Sequence, residues 1–225
     1  PRLQYEVYGK RIPGGAGLAF PEWDAKLHEV RLEPLPRDWR VTGGLDWGYA
    51  TPGCFLLVLH GPGGRYHVAQ ELVFEGRPSQ EVGFAIGSMC GQLGLYPEFI
   101  GSDKAMAAKP DAQASIAEEV DYGLKQALPP QFRVPIVHPE KGPTSRVTAK
   151  ALMHRLLAAK ADEHGVVHAW GRPQFSIDPV RCPVTTRTLR RLERDEKKPE
   201  DVDSSQFDHP WDSLAYNLLA GQPKI

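Results

Sequence analysis

The sequence predicts an α/β fold, a central mixed β-sheet flanked by helices, and three observations carry that expectation. Three apolar runs of strand length follow one another within residues 41–74. From Ser79 onward, shorter apolar runs alternate with segments whose apolar residues recur every three or four positions, the period of a helix. Two of the strand-like runs, 41–46 and 99–103, end in an aspartate.

Residues 1–40 are rich in Pro, Gly and aromatic residues, with Gly14-Gly15-Ala16-Gly17 followed by Phe20-Pro21-Glu22-Trp23-Asp24, and no period lasts there. They read as a lead-in segment or linker that packs on the domain or joins it to something upstream, and 41–225 as the domain itself. Nothing in Val41-Thr42-Gly43-Gly44-Leu45-Asp46 alternates with water, which marks a central strand buried on both faces. Residues 54–60 and 66–74, joined by Gly61-Pro62-Gly63-Gly64, form a β-hairpin. Val82, Ala85, Ile86, Met89 and Leu93 predict a helix over 79–94, with Gly94 as its stop. After the strand 99–103, the spacing of Ile116, Val120, Leu124 and Leu128 predicts a helix over 112–128, ended by Pro129-Pro130. Residues 134–137 are a strand whose Pro135 argues for an edge. A helix over 145–161 carries Val147, Ala151, Leu152, Leu156 and Leu157 on one side and Arg146, Lys150, His154, Arg155 and Lys160 on the other. Residues 166–170 and 174–177, split by Gly171-Arg172-Pro173, read as an extra β-hairpin. A basic helix over 182–196, a polar loop over 197–205 and a last helix over 208–219 complete the order.

At 225 residues, 41% hydrophobic and 24% charged, the chain fits one large globular domain or two small ones. No run approaches the ~20 apolar residues of a membrane span. Cys54, Cys90 and Cys182 are isolated, which fits a reducing compartment and excludes a paired zinc pattern. A formal net charge of -1 gives no sign of a nucleic-acid binder in the total, so any such role needs a local basic face.

The acids carry the chemistry. Burying a carboxylate is costly without a partner, a metal, or a strand-end position that solvent or ligand reaches, so Asp46 and Asp103 are candidates for a cation site. Asp208, His209 and Asp212 open the last helix, where His209 and Asp212 are three apart and share a face. Capping accounts for Asp208 through the backbone N–H groups of the first turn. It does not account for Asp212, one turn in beside Leu214 and Ala215, for which the alternative is a solvated helix residue. Lys104, next to Asp103, has two readings, a phosphate contact or a solvated strand-end lysine.

Three strands, a helix, a strand, a helix, a strand and further helices is the order of the ribonuclease H-like fold, in which the first and fourth strands are neighbours and Asp46 would face Asp103. More specifically, three stretches resemble the C-terminal nuclease domain of phage large terminases, in the same order and from about residue 20 to the end. They are Gly44-Leu45-Asp46-Trp47-Gly48-Tyr49; Gly101-Ser102-Asp103-Lys104-Ala105-Met106 running to Ser115-Ile116-Ala117-Glu118; and Glu200-Asp201-Val202-Asp203 leading to Asp208-His209-Pro210-Trp211-Asp212-Ser213-Leu214-Ala215-Tyr216. Pro210-Trp211 departs from the small residues more usual there. The resemblance implies a domain that cuts concatemeric DNA during genome packaging, in the host cytoplasm and transiently docked on the procapsid. Its implied partners are double-stranded DNA, the portal protein, the small terminase subunit and an N-terminal ATPase domain of the same polypeptide. No Gly-x-x-x-x-Gly-Lys-Ser/Thr loop occurs, so that ATPase is expected upstream, in keeping with a chain that starts at Pro1.

The expected mechanism is two-metal phosphodiester hydrolysis, with Asp46 bridging two Mg2+ or Mn2+ ions, Asp103 and Asp212 each completing one site, and Asp208 and His209 as further candidate ligands. Lys104, Lys141, Arg146, Lys150, Arg155, Arg187, Arg190, Arg191 and Arg194 are the candidates for a DNA-binding track, which would bind phosphates without reading sequence. Competing readings are a junction-resolvase-like or transposase-like nuclease of the same fold, and a non-cutting module that docks on DNA or portal. Actin-like ATPases and sugar kinases also open with an Asp at a strand end, but they need a duplicated half, and no internal repeat is present.

Overall fold

Strands β1 (Arg40–Asp46), β2 (Gly53–Gly61) and β3 (Arg65–Phe74) run as an antiparallel meander. The computed structural model describes residues 17–109, 113–140, 142 and 144–222. Beyond the meander the sheet turns parallel: β4 (Ile100–Ser102) lies beside β1, β5 (Ile136–Val137) beside β4, and β6 (Phe175–Ile177) beside β3. The order is β5-β4-β1-β2-β3-β6, the mixed sheet that the sequence predicts.

β2 shows why the sheet is covered on both faces. It is buried from Gly53 through Leu59, and alternate side chains go to opposite sides. Cys54, Leu56 and Val58 join one core with α4 (Ser145–Leu157), α5 (Pro183–Arg191) and α6 (His209–Ala220). Phe55, Leu57 and Leu59 join the other, with α2 (Ser79–Leu93) and α3 (Ile116–Ala127). A reciprocal capping box between Ser115 and Glu118 starts α3 at Ile116, where the apolar period begins, rather than at the expected 112. α2 and α3 cross backbone to backbone: a Cβ on Gly83 would lie 2.1 Å from the Val120 carbonyl oxygen, and one on Gly123 2.0 Å from that of Gln80.

Residues 17–39 are folded onto the domain. Ala19 and Phe20 are fully buried in the core with Trp211, a short helix α1 (Ala25–His28) follows, and Val30 N–H donates to the Ile177 carbonyl. The remainder of the expected lead-in segment, 1–16, lies outside the described residues.

The extra hairpin is corrected. Only 175–177 forms a strand, and it pairs parallel with β3. The expected partner run is a loop ending in a single 3-10 turn over Ala169–Gly171. Asp162 sets that loop: its carboxylate accepts from the backbone N–H groups of His164 and Val166, and one oxygen lies 2.6 Å from His168 Nε2. Two helices are also shorter than expected. α4 stops at Leu157, because His28 Nε2 and the Gln174 N–H take the Leu157 and Leu156 carbonyls. α5 stops at Arg191, because Glu193 pairs with Leu18 and Arg194 with Val202.

His67, on β3, is 1% exposed, with Nδ1 2.9 Å from Ser176 Oγ on β6. Burial holds its pKa down to about 4 from an ordinary 6.5. The folded protein therefore keeps this ring neutral while an unfolded chain protonates it, so stability falls as pH drops from about 6.5 to about 4. His67→Asn is expected to remove about 2 kcal/mol of the loss seen between pH 7 and pH 4.5 in urea unfolding. An unchanged acid slope would contradict the assignment.

Candidate functional site

The parallel register of β1 and β4 sets Gly44 against Gly101 and Leu45 against Ser102, so Asp46 and Asp103 leave the sheet at the same end of adjacent strands. α6 lies directly over them because those glycines carry no side chain. A Cβ on Gly44 would sit 2.0 Å from the Ser213 carbonyl oxygen, and one on Gly101 2.4 Å from that of Tyr216. Ser213 Oγ donates to the Gly44 carbonyl at 2.8 Å, and Asn217 Nδ2 donates to Thr42 Oγ1 at 2.7 Å and the Gly43 carbonyl at 2.9 Å. These bonds fix the rotation of the helix, and with it the face that carries His209, Asp212 and Tyr216.

That face meets the strand-end acids. His209 Nδ1 lies 2.7 Å from Asp46 Oδ2. Tyr216 donates its hydroxyl to Asp103 Oδ2 at 2.9 Å, while Asp103 Oδ1 accepts from the Ala105 N–H at 2.8 Å. Asp212 is gripped at both oxygens by Arg146 Nη1, at 2.8 and 3.0 Å. The same guanidinium reaches Asp208 Oδ2 through Nη2 at 3.0 Å and Asp201 Oδ1 through Nε at 3.1 Å. Asp208 occupies the N-cap position of α6, yet its carboxylate makes no capping bond and serves Arg146 instead.

The electrostatics register this convergence of carboxylates. Burial raises the Asp46 pKa, the nearby Asp208 and Asp103 charges add to the rise, and His209 opposes it. Burial also pushes the Tyr216 hydroxyl up, with Asp212, Asp46 and Asp103 reinforcing it. For Arg146, burial works against the charge, but Asp212, Asp208 and Asp201 outweigh it and the pKa rises. Asp46, Asp103 and Asp212 therefore present hard oxygen donors, the kind that suits Mg2+ or Mn2+. Among the described residues they are not drawn into a ready-made cage of three ligands. Arg146, His209 and Tyr216 engage these carboxylates instead.

The basic candidates divide. Arg146 is among the acids. Lys150 is 3% exposed and donates to the Pro199 and Asp201 carbonyls at 2.8 and 2.9 Å, so it fastens the acidic loop rather than facing a phosphate. Arg155 is exposed beside Gln222, at the end of α6 away from the acids, about 18 Å of helix from them. Lys104 is exposed beside Asp103. Arg187, Arg190 and Arg191 are exposed on α5, with Arg190 Nε 3.2 Å from Glu29, and Arg194 is half-buried. Lys141 lies outside the described residues. Sequence reasoning gave no role to Asp201 or Tyr216, although Tyr216 stands one turn after Asp212 on the same helix face.

No family model matches the sequence, and no curated protein is significantly similar to it. Solved structures are similar in fold. The nuclease domain of the P22 large terminase superposes with a TM-score of 0.64 at 12% identity, covering 91% of this chain and 92% of that one. The chain has the fold of a large-terminase nuclease domain. The terminase nuclease fold also appears in the SPP1 large-terminase nuclease domain with bound Mn, at TM-score 0.52 and 17% identity over 79% of this chain and 84% of that one. The large terminase of the thermophilic phage D6E, in complex with ATP-gamma-S, matches at TM-score 0.61 and 14% identity, covering 91% of this chain but 45% of its own length. The ribonuclease H-like architecture expected from the order of elements is thus the one observed.

Proposed function

We propose that this chain is the metal-dependent endonuclease domain of a phage large terminase, cutting concatemeric double-stranded DNA during packaging. The observation that carries the reading is the convergence of Asp46, Asp103 and Asp212 at one end of β1 and β4 under α6, in the terminase nuclease fold. Asp46, Asp103 and Asp212 would hold the metal. Two Mg2+ or Mn2+ ions, when bound, supply activation of the attacking water and neutralisation of the leaving 3′ oxygen. His209 orients the Asp46 carboxylate, and Tyr216 together with the Ala105 N–H fixes that of Asp103. Lys104, exposed next to Asp103, would meet a phosphate there. The Mn bound to the SPP1 nuclease domain supports divalent metal use. The D6E protein, twice the length of the match and bound to ATP-gamma-S, supports an ATPase domain in the same polypeptide. Portal protein and small subunit would be its further partners, and the host cytoplasm its location.

The test is cleavage of supercoiled plasmid in EDTA, Mg2+ or Mn2+ by wild type, Asp103→Asn and Asp212→Asn. Cutting should need metal and fall by about a hundredfold or more in each variant. Cutting confined to a four-way junction would favour a resolvase-like enzyme. DNA binding without cutting in any metal would favour a docking module.

A further inference from the structure

Arg146, a candidate for the DNA-binding track by sequence, stands instead in the middle of the carboxylates. All three guanidinium nitrogens face acids: Nε to Asp201, Nη2 to Asp208, and Nη1 to both oxygens of Asp212. The side chains keep 28% exposure for Arg146, 23% for Asp201, 10% for Asp208 and 16% for Asp212, so water screens the cluster only in part. Three acids around one guanidinium leave an excess of negative charge, and without Arg146 they would repel one another. The arginine comes from α4 and the acids from α6 and the loop before it, so the contact also holds that loop against α4. Lys150, one turn along α4, binds the same loop through the Pro199 and Asp201 carbonyls.

We propose that Arg146 is a built-in counter-cation that positions Asp201, Asp208 and Asp212 and must release Asp212 for a divalent ion to bind. The inference rests on the metal-dependent reading of the site given above. A single nitrogen, Nη1, bridges both oxygens of Asp212, and that is the position an ion chelated by the carboxylate would take. A doubly charged ion at Asp212 would also repel the guanidinium at contact distance. Asp201 and Asp208 contact separate nitrogens, so Arg146 can keep them while giving up Asp212. Metal affinity is thereby lowered in exchange for an ordered set of ligands.

A purely structural arginine and a competing one make opposite predictions for metal binding. Titration of wild type, Arg146→Gln and Asp46→Asn with Mn2+ alone, followed by calorimetry and by the spin-resonance signal of free Mn2+, separates them. Arg146→Gln is expected to bind Mn2+ about tenfold more tightly than wild type. It should melt lower than wild type in EDTA and gain more in Tm from added Mn2+. A folded Arg146→Gln that binds Mn2+ no more tightly than wild type, while wild type binds in an Asp46-dependent manner, overturns the inference and leaves the nuclease reading standing. Absence of Mn2+ binding in both proteins overturns the two together. Should Arg146→Gln fail to fold, the wild-type protein provides the measurement. The Arg146 Nη–H resonances, assigned by their loss in Arg146→Lys, should shift and exchange faster with water on adding Mg2+ while the Nε–H bonded to Asp201 stays protected, and unmoved Nη signals overturn the proposal.

Discussion

Asp46→Asn is expected to lower DNA cleavage by about a thousandfold or more while melting, in EDTA at pH 7, no lower than wild type. The two halves of that result come from the same geometry. Burial, then the Asp208 and Asp103 charges, raise the Asp46 pKa against the opposing pull of His209. The folded state thus holds the Asp46 proton more tightly than an unfolded chain does, so this residue's contribution to stability falls as pH rises through its folded pKa. Above that window the ionised carboxylate is a net cost to the fold. Asparagine carries no such cost, and its Oδ1 still accepts from the Nδ1–H tautomer of His209 at the position Asp46 Oδ2 now fills. An acid kept for architecture would behave in the opposite way, with its neutral variant less stable. Plasmid cleavage and thermal melting of the one variant decide the matter, and a destabilised protein with residual cutting would refute the assignment.

The second large effect is expected at a residue without a side chain. Gly44→Ala would bring a methyl carbon to 2.0 Å from the Ser213 carbonyl oxygen, a backbone atom that cannot rotate away. α6 must lift or slide, and the Ser213 and Asn217 hydrogen bonds to β1 go with it. A loss of about 3 kcal/mol is expected in urea unfolding, together with most of the cleavage, since Asp212, His209 and Tyr216 all ride on that helix. Gly91→Ala is the control. Gly91 lies within α2 with nothing within 4 Å of the added carbon, so alanine should stabilise by about 0.5–1 kcal/mol. Equal effects at the two sites would show that the close approach of α6 does not govern Gly44.

The strand-end acids were legible because order and composition encode them. A strand buried on both faces has few reasons to end in Asp, and the arrangement of elements made β1 and β4 neighbours, which placed Asp46 beside Asp103. Positions on α6 followed from helical spacing. What escaped the sequence were pairings across long separations. Arg146 and Lys150 stand on the polar side of α4 and read as a phosphate-binding face, because a charge pattern does not name its partner. The acids and carbonyls they serve come from the loop and helix some 50 or more residues later. The capping signal at Asp208 was equally ambiguous, since its carboxylate had a stronger competitor in a guanidinium. In 166–177 the apolar residues suggested two strands. Phe175 and Ile177 reach the core, whereas Asp162 collects the donors of the preceding run and no ladder forms there.

The outermost strands have a consequence for assembly. β5 is two residues long and β6 three, and each is bound on its inner side to the sheet. A rim so short offers little open backbone for another polypeptide to extend, which protects crowded copies of the domain from fusing sheet to sheet. Neighbours would have to recognise it through side chains on its helices and loops, and such contacts can be formed and broken without disturbing the strands that carry the acids.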